Sequence, residues 1–189
     1  VCTSASPCSA GSALTLFVRG YDAYGNARSS SSSNDPFSVQ VLREGTSSVW
    51  FPTLAAAGTN VYSATFTPEI AGTYTFRGLL GLTQVSNSPL SAEHGHVAAG
   101  AASTAKSTAF GSGLSGTQRG ADATFTVQAR DAYGNTRPHN TDVISYEVKD
   151  DGEVSVLESG TCAAIGAASP GAYRCTYVLS TGVAGPRKL

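Results

Sequence analysis

The chain has 189 residues, a formal net charge of −1 at pH 7 and only 13% charged residues. Because it has neither a basic nor an acidic excess, the composition gives no sign of binding to nucleic acid or to an anionic membrane surface. Hydrophobic residues make up 41% of the sequence, enough for two small cores, and no apolar run approaches the length of a membrane span.

A long repeat organises the sequence. The segment 11–28 returns in similar form at 120–137, with a constant offset of 109 positions, so that Asp22 corresponds to Asp131. This period is too long for a solenoid unit and suits one compact domain. The chain is therefore expected to contain two copies of one module.

Alternation of apolar with polar or β-branched residues predicts short β-strands in both copies. Turn residues separate these segments, and no stretch has a convincing helical period. In chain order the predicted strands are residues 14–18, 37–42, 61–66, 73–76, 123–127, 144–148, 154–157 and 173–178. The pattern predicts an all-β chain of two antiparallel sandwiches.

The five residues Asp-Ala-Tyr-Gly-Asn follow the first long strand of each copy. Glycine adopts positive φ and asparagine tolerates it, so the motif predicts a structural turn in which the aspartate accepts bonds from backbone amides and the tyrosine ring covers the end of the core. One Asp and one Asn offer too few oxygen ligands for calcium. The turn residues are Asp22, Tyr24, Gly25, Asn26, Asp131, Tyr133, Gly134 and Asn135.

The four cysteines form two local pairs, Cys2/Cys8 and Cys162/Cys175. Four cysteines allow three connectivities, and pairing within each repeat is the natural choice if the repeats fold separately. Such pairs are typical of small β-domains in oxidising compartments, whereas free buried thiols would indicate a cytosolic protein. No zinc-type spacing is present.

Residues able to support catalysis are scarce. No Gly-x-Ser-x-Gly elbow or nucleophile–base pair is evident, so we expect no enzyme activity, no catalytic residues and no cofactor. Asp150, Asp151 and Glu153 form a weak calcium candidate, although Asp-Asp-Gly between two strands is more typical of a hairpin turn.

Segments 58–68, 71–76 and 86–90 carry a family resemblance. They read Gly-Thr-Asn-Val-Tyr-Ser-Ala-Thr-Phe-Thr-Pro, Ala-Gly-Thr-Tyr-Thr-Phe and Ser-Asn-Ser-Pro-Leu, and the second copy adds Gly-Ser-Gly-Leu at 111–114 and Gly-Ala-Tyr-Arg-Cys-Thr-Tyr at 171–177. This set resembles the filamin-type immunoglobulin-like repeat, which also occurs in plant and algal gamete surface adhesion proteins. The Asp-x-x-Gly-Asn turn is similar, more weakly, to invasin-type bacterial immunoglobulin-like modules.

The resemblance implies two filamin-type domains, 1–92 and 93–189. In this alignment residues 96–110 supply the first strand of the second domain and have no counterpart in the first. The last strand of the second domain is missing, and residues 180–189 are expected to be poorly paired.

The resemblance also implies a non-enzymatic role in cell-surface adhesion or spacing, as part of a larger extracellular protein. Partners would be neighbouring repeats and another protein, bound through end loops, such as 28–36, or through a sheet edge beside the third strand. The alternatives are an intracellular filamin-like scaffold and an accessory module of a secreted enzyme. The edge residues are Phe37, Val39, Val41, Ile144, Tyr146 and Val148.

Overall fold

A computed structural model of the chain describes residues 2–31, 35–86, 88, 95–149 and 155–179. The regular structure of these residues is β-strand, apart from one short 3-10 helix, Ser112–Ser115. The chain divides into two compact units, Val1–Ala98 and Ala99–Leu189. The all-β architecture predicted from the alternating pattern is confirmed.

The first unit has two sheets. One has the strand order β1-β9-β7-β3-β4, with β8 also paired to β7, and the other has the order β2-β6-β5. Strands β1 and β9 are parallel, and the other pairs are antiparallel. The strands are β1 (Cys8–Ser9), β2 (Leu14–Arg19), β3 (Phe37–Arg43), β4 (Val49–Trp50), β5 (Ala55–Gly58), β6 (Val61–Phe66), β7 (Gly72–Leu80), β8 (Thr83–Gln84) and β9 (His96–Ala98).

The core of the first unit is formed by alternate residues of its strands. In β6, for example, Tyr62, Ala64 and Phe66 are buried while the residues between them are more exposed. Trp50 packs against this core, with its ring 5.5 Å from that of Phe66 and 5.9 Å from that of Tyr74. The aromatic rings therefore supply much of the apolar area that holds this small unit together.

The second unit repeats part of this pattern. Strands β10-β11-β15-β14 form one sheet, and β12 pairs with β13 in another, with every pairing antiparallel. In β15 the buried residues Tyr173, Cys175 and Tyr177 share one face, as the sequence predicts. The strands are β10 (Thr108–Phe110), β11 (Asp122–Gln128), β12 (Ser145–Lys149), β13 (Val156–Thr161), β14 (Ala163–Ala164) and β15 (Ala172–Val178).

The disulfides join the cysteines in the predicted pairs, Cys2–Cys8 and Cys162–Cys175. Cys175 is fully buried in the second core, and Cys162 packs against the same cluster from the segment between β13 and β14. Each unit thus carries its own covalent link.

The boundary between the units differs from the one expected. It lies between Ala98 and Ala99, not between residues 92 and 93. The reason is β9, which pairs with β1 and with β7 of the first unit. Residues 96–110 therefore do not form one strand of the second unit. They contain β9, which belongs to the first unit, and β10, which belongs to the second.

Two predicted strands have clearly different bounds. The expected strand at 73–76 is β7, which continues to Leu80 because it pairs with β3 along that length. The expected strand at 154–157 is β13, which begins at Val156 and continues to Thr161. It extends further because its residues pair along the whole of β12, with a register shift between Val148 and Lys149. The expectation for residues 180–189 lies outside the described residues, as do Asp150, Asp151 and Glu153.

Candidate functional site

The turn after β2 is held by its aspartate. Asp22 Oδ1 accepts N–H bonds from Tyr24 at 2.9 Å and from Asn26 at 2.8 Å, and Oδ2 accepts one from the Asn26 side chain at 3.0 Å. Gly25 has a φ of 83°, in the left-handed region that the turn requires. The hydrogen bonds from Asn26 lower the pKa of Asp22, because they stabilise the carboxylate form.

The second copy of the turn has the same internal bonds but a different environment. Asp131 accepts N–H bonds from Tyr133 and Asn135, each at 2.9 Å, and its Oδ2 also accepts one from Gly100 at 2.9 Å. Asp131 is only 1% exposed. Burial raises the pKa of Asp131, but the hydrogen bonds from Asn135, Gly100 and Tyr133 outweigh it, so the pKa lies below its ordinary value.

The expected role of the turn tyrosines is wrong. Tyr24 is 90% exposed and Tyr133 is 46% exposed, so neither ring covers the end of a core. Both carboxylate oxygens of each aspartate accept N–H bonds from residues of the same turn.

Sequence reasoning missed a cluster that both units share. In the second unit Arg137 makes a two-point ion pair with Asp142, with both N–O distances 3.0 Å, and the Asp142 amide donates to the Tyr173 hydroxyl at 2.8 Å. In the first unit Arg28 pairs with Asp35 at 2.6 Å, and the Tyr62 hydroxyl donates to the same carboxylate.

The register of the sheets makes these clusters equivalent. Tyr62 lies opposite Val18, and Tyr173 lies opposite Val127, the residue that corresponds to Val18 in the repeat. Arg28 and Arg137 end the repeated segment, so they are the members of the clusters that the repeat itself identifies. The aspartates and tyrosines recur at other offsets, because the loops of the two units differ in length, so a constant period does not find them.

Most of the side chains predicted to form the partner edge are already packed in the cores of the two units. Val39, Val41 and Val148 are buried. The Phe37 ring packs on Tyr62, and the Tyr146 ring packs on Phe125 while its hydroxyl donates to the Thr176 carbonyl. Ile144 precedes β12 and its carbonyl accepts the Cys162 N–H. An added strand would therefore contact the backbone and the opposite faces of β3 and β12.

The two edges are open to different degrees. Strand β3 pairs with β7 along its whole length, while β4 covers only Val41 and Leu42 on its other side. Within the described residues, β12 pairs only with β13. The N-terminal half of β3 and one side of β12 thus remain candidates for strand addition.

A cavity of about 540 Å³ opens in the first unit between β2 and β7. Leu16, Val18, Phe37, Val39 and Phe76 supply an apolar lining, and Val85, Ser86 and Ser88 also line the cavity. Arg19 and Arg77 also line it, and none of the described lining residues is acidic. Sequence reasoning did not predict this cavity, because it depends on which strands leave an edge open.

In the part of the chain that the structure describes, no group of three His, Cys, Asp or Glu side chains is placed to hold a metal ion. No helix among the described residues is long and apolar enough to cross a membrane.

Comparison with known families supports the architecture. Residues 101–183 match the Filamin/ABP280 repeat. The matched residues lie within the second unit. The resemblance read from the motifs is thereby confirmed, and the two units are immunoglobulin-like sandwiches. No curated protein matches the chain significantly.

A solved structure shares the fold. FdeC, an Escherichia coli adhesin, is similar over 96% of this chain with a TM-score of 0.52 and 21% sequence identity. The chain spans 56% of the length of that structure. At this level of identity the likeness concerns the fold alone.

Proposed function

We propose that the chain is part of an extracellular, cell-surface protein, in which its two immunoglobulin-like units serve adhesion or recognition and spacing without enzyme activity. The filamin-type repeat supports a modular binding role, and the shared fold with an adhesin is consistent with it. The resemblance to gamete surface repeats points to plant or algal gametes as the setting.

The observation that carries the extracellular location is the disulfide in each unit. Cys162–Cys175 lies in the core of the second unit, and Cys2–Cys8 closes the start of the first. Structural disulfides form and persist in secreted and surface proteins, whereas reducing compartments keep such thiols free. Two separate links in two repeats suit a chain that folds in an oxidising compartment.

The mode of binding that the fold supports is strand addition. An extended partner segment would pair with the N-terminal half of β3 or with β12, so that main-chain hydrogen bonds provide affinity. Because Val39 and Val148 point into the cores, specificity would come from the opposite face, where Ser38, Gln40 and Glu147 lie.

Location is tested on cells of the source organism. Antibodies against residues 1–189 should label intact cells as strongly as permeabilised ones. Alkylation of the denatured, unreduced protein should leave all four cysteines unmodified. Labelling that needs permeabilisation, together with four alkylated thiols, would favour the intracellular scaffold. Surface labelling on a polypeptide that also contains a hydrolase domain would favour the accessory module.

Binding is tested with beads coated with the protein and offered to the same cells under flow. Ser38→Lys places a charge beside the open half of β3, and charges at an edge oppose strand addition. We expect this variant to reduce bead retention, and Ala57→Lys on the exposed strand β5 to leave it unchanged. Beads that are retained no better than uncoated beads would contradict an adhesive role.

A further inference from the structure

The first and last strands of the first unit are neighbours, and they run in the same direction. Cys8 and Ser9 of β1 pair in parallel with Val97 and Ala98 of β9, and every other strand pair that the structure describes is antiparallel. A pull on the chain from its N-terminal side acts on the start of β1, and a pull from its C-terminal side acts on the end of β9. Such tension draws the two strands past each other along their axes, so that the hydrogen bonds between them are strained together.

A second attachment to the same part of the sheet lies ahead of β1. The Cys2 carbonyl accepts N–H bonds from Gly95 at 2.7 Å and from His96 at 3.2 Å. After β1, the Ala10 amide donates to the Ala98 carbonyl at 2.8 Å. The N-terminal segment is thus attached at successive points along β9 and the residue before it.

The Cys2–Cys8 disulfide joins these attachments directly, with the two Cα atoms 5.1 Å apart. The residues between the cysteines form a turn, in which the Thr3 amide donates to the Ser6 carbonyl and the Ser6 amide donates to the Thr3 hydroxyl, each at 3.1 Å. If this turn were extended, the six steps from Cys2 to Cys8 would reach about 20 Å. Because the disulfide bypasses this slack, tension that enters at Cys2 passes at once to Cys8, and both attachments share it.

Strand β9 is itself anchored in the sheet. On its other side it pairs with β7, where Gly72 and Thr73 lie opposite Val97 and His96, and β7 pairs with the whole length of β3. Val97 is 5% exposed and belongs to the core of the first unit. Strand β9 therefore cannot follow a moving β1 without losing its pairing with β7 and withdrawing Val97 from the core.

We propose that β1 and β9, together with the Cys2–Cys8 disulfide, form a clamp that keeps the first unit folded when the chain is under tension. Hydrogen bonds that share a force break together, whereas bonds at an opening end break one at a time, so the shared arrangement has the higher barrier to forced unfolding. This inference rests on the proposed role in adhesion and spacing, in which the chain carries the pull between attached surfaces. It gives the disulfide a mechanical role beyond the modest stabilisation that closing a short loop provides.

Single-molecule pulling on the 189-residue protein tests the clamp, because the same bonds can be strained in two directions. One handle is attached to an azide-bearing side chain in place of the exposed Ala101, and the other either to the N-terminus or to a similar side chain in place of the exposed Ser12, which follows β1. Pulling from position 12 acts on both strands at the same end and opens the pair bond by bond. At one constant force, the first unit should stay folded about tenfold longer when it is pulled from the N-terminus, which corresponds to one or two hydrogen bonds of extra barrier.

Removing the disulfide separates the mechanical role from general stability. In Cys2→Ala with Cys8→Ala, pulled from the N-terminus, the Cys2 attachment should detach first. The turn should then straighten in an extra step of about 15 Å before the unit unfolds, because its extended reach of about 20 Å exceeds the 5.1 Å spacing that the disulfide imposes. The folded lifetime in this direction should fall about tenfold, because the two bonds of Cys2 no longer share the force, whereas the lifetime under a pull from position 12 should change clearly less.

The second disulfide provides the matched control. Cys162→Leu with Cys175→Ala removes a disulfide that lies in the second unit, outside the segment between the handles, and should change neither lifetime. Urea unfolding followed by Trp50 fluorescence shows that the first unit is folded in each variant, because Trp50 packs against its core.

Equal lifetimes of the disulfide-intact protein in the two pulling directions would overturn the clamp, and this comparison does not depend on the folding of the cysteine variant. Equal losses in both directions when Cys2 and Cys8 are replaced, or absence of the extra step, would overturn the role of the disulfide. Bead retention under flow together with equal lifetimes would leave the proposed adhesive function standing without this clamp. Beads that are not retained, together with a direction-dependent lifetime, would contradict the adhesive function and leave the clamp.

Discussion

The two Asp-Ala-Tyr-Gly-Asn turns have the same sequence and the same internal hydrogen bonds, but only one is buried. In each, the aspartate accepts the amides of the tyrosine and the asparagine. Asp22 is exposed, whereas Asp131 is 1% exposed because Ala102 pairs with it and Gly100 donates to it. Local sequence thus builds the turn, and the segment that precedes the second repeat decides its environment.

The two cores differ in a similar way. Cys175 lies opposite Phe125, and Ala64 lies opposite Leu16, so Cys175 takes the place of Ala64. Cys162, which precedes β14, corresponds to Leu54, which precedes β5. One unit therefore joins two strands by a covalent link where the other relies on the packing of a leucine against a small residue.

The largest effect is expected from breaking that link. Cys162→Ser with Cys175→Ser should lower the free energy of unfolding of the second unit by about 4 kcal/mol, of which about 3 comes from the lost loop closure and the rest from burying a hydroxyl. Cys162→Leu with Cys175→Ala, which copies the first unit, should lose only about 2 kcal/mol, because apolar packing returns.

Urea unfolding followed by circular dichroism measures both variants. The first unit provides the control, because Trp50 is the only tryptophan and its fluorescence reports the first unit alone. Equal losses in the two variants would show that the packing of Leu54 and Ala64 has no equivalent in the second unit.

Replacing each aspartate tests whether burial makes the two turns differ in their contribution to stability. Asp131→Ala leaves the N–H groups of Gly100, Tyr133 and Asn135 without their acceptor in a buried site, and should lower the free energy of unfolding by about 3 kcal/mol. Asp22→Ala should cost clearly less, because water reaches the freed amides. Urea midpoints of the two variants check this, and equal shifts would mean that burial does not distinguish the turns.

The Arg–Asp–Tyr clusters should behave alike in both units. Tyr173→Phe and Tyr62→Phe each keep the ring and remove one hydroxyl that bonds the loop aspartate or its amide, at a cost of about 1 kcal/mol. Trp50 fluorescence reports the effect of Tyr62→Phe in the first unit, and near-ultraviolet circular dichroism reports the effect of Tyr173→Phe in the second. A shift in one unit only would show that the clusters are not equivalent.

The smallest expected effect is a pH dependence. Because the pKa of Asp131 is lowered in the folded protein, its ionised form stabilises the fold above the unfolded pKa, and this contribution disappears as the pH falls through the folded pKa. The stability difference between the wild type and Asp131→Asn should therefore shrink by about 1 kcal/mol between about pH 5 and pH 2. A difference that stays constant over this range would contradict the lowered pKa.

Much of the fold could be predicted from periodicity. The alternation in 14–18, 61–66 and 173–178 is a property of the strand itself, so β2, β6 and β15 lie where the sequence places them. The bounds of β13 could not be predicted, because they depend on the strand with which it pairs. Similarly, β9 carries a short, weakly patterned sequence, and only its pairing with β7 and β1 assigns it to the first unit.

By itself the sequence determined the all-β class, the duplication, the Asp-centred turns and the proximity of each cysteine pair, because all of these depend on residues close together in the chain. The tertiary structure alone decided the burial of Asp131, the exposure of Tyr24 and the meeting of Arg28, Asp35 and Tyr62. These features depend on contacts between segments distant in the chain, whose spacing varies with loop length while their geometry in the sandwich does not.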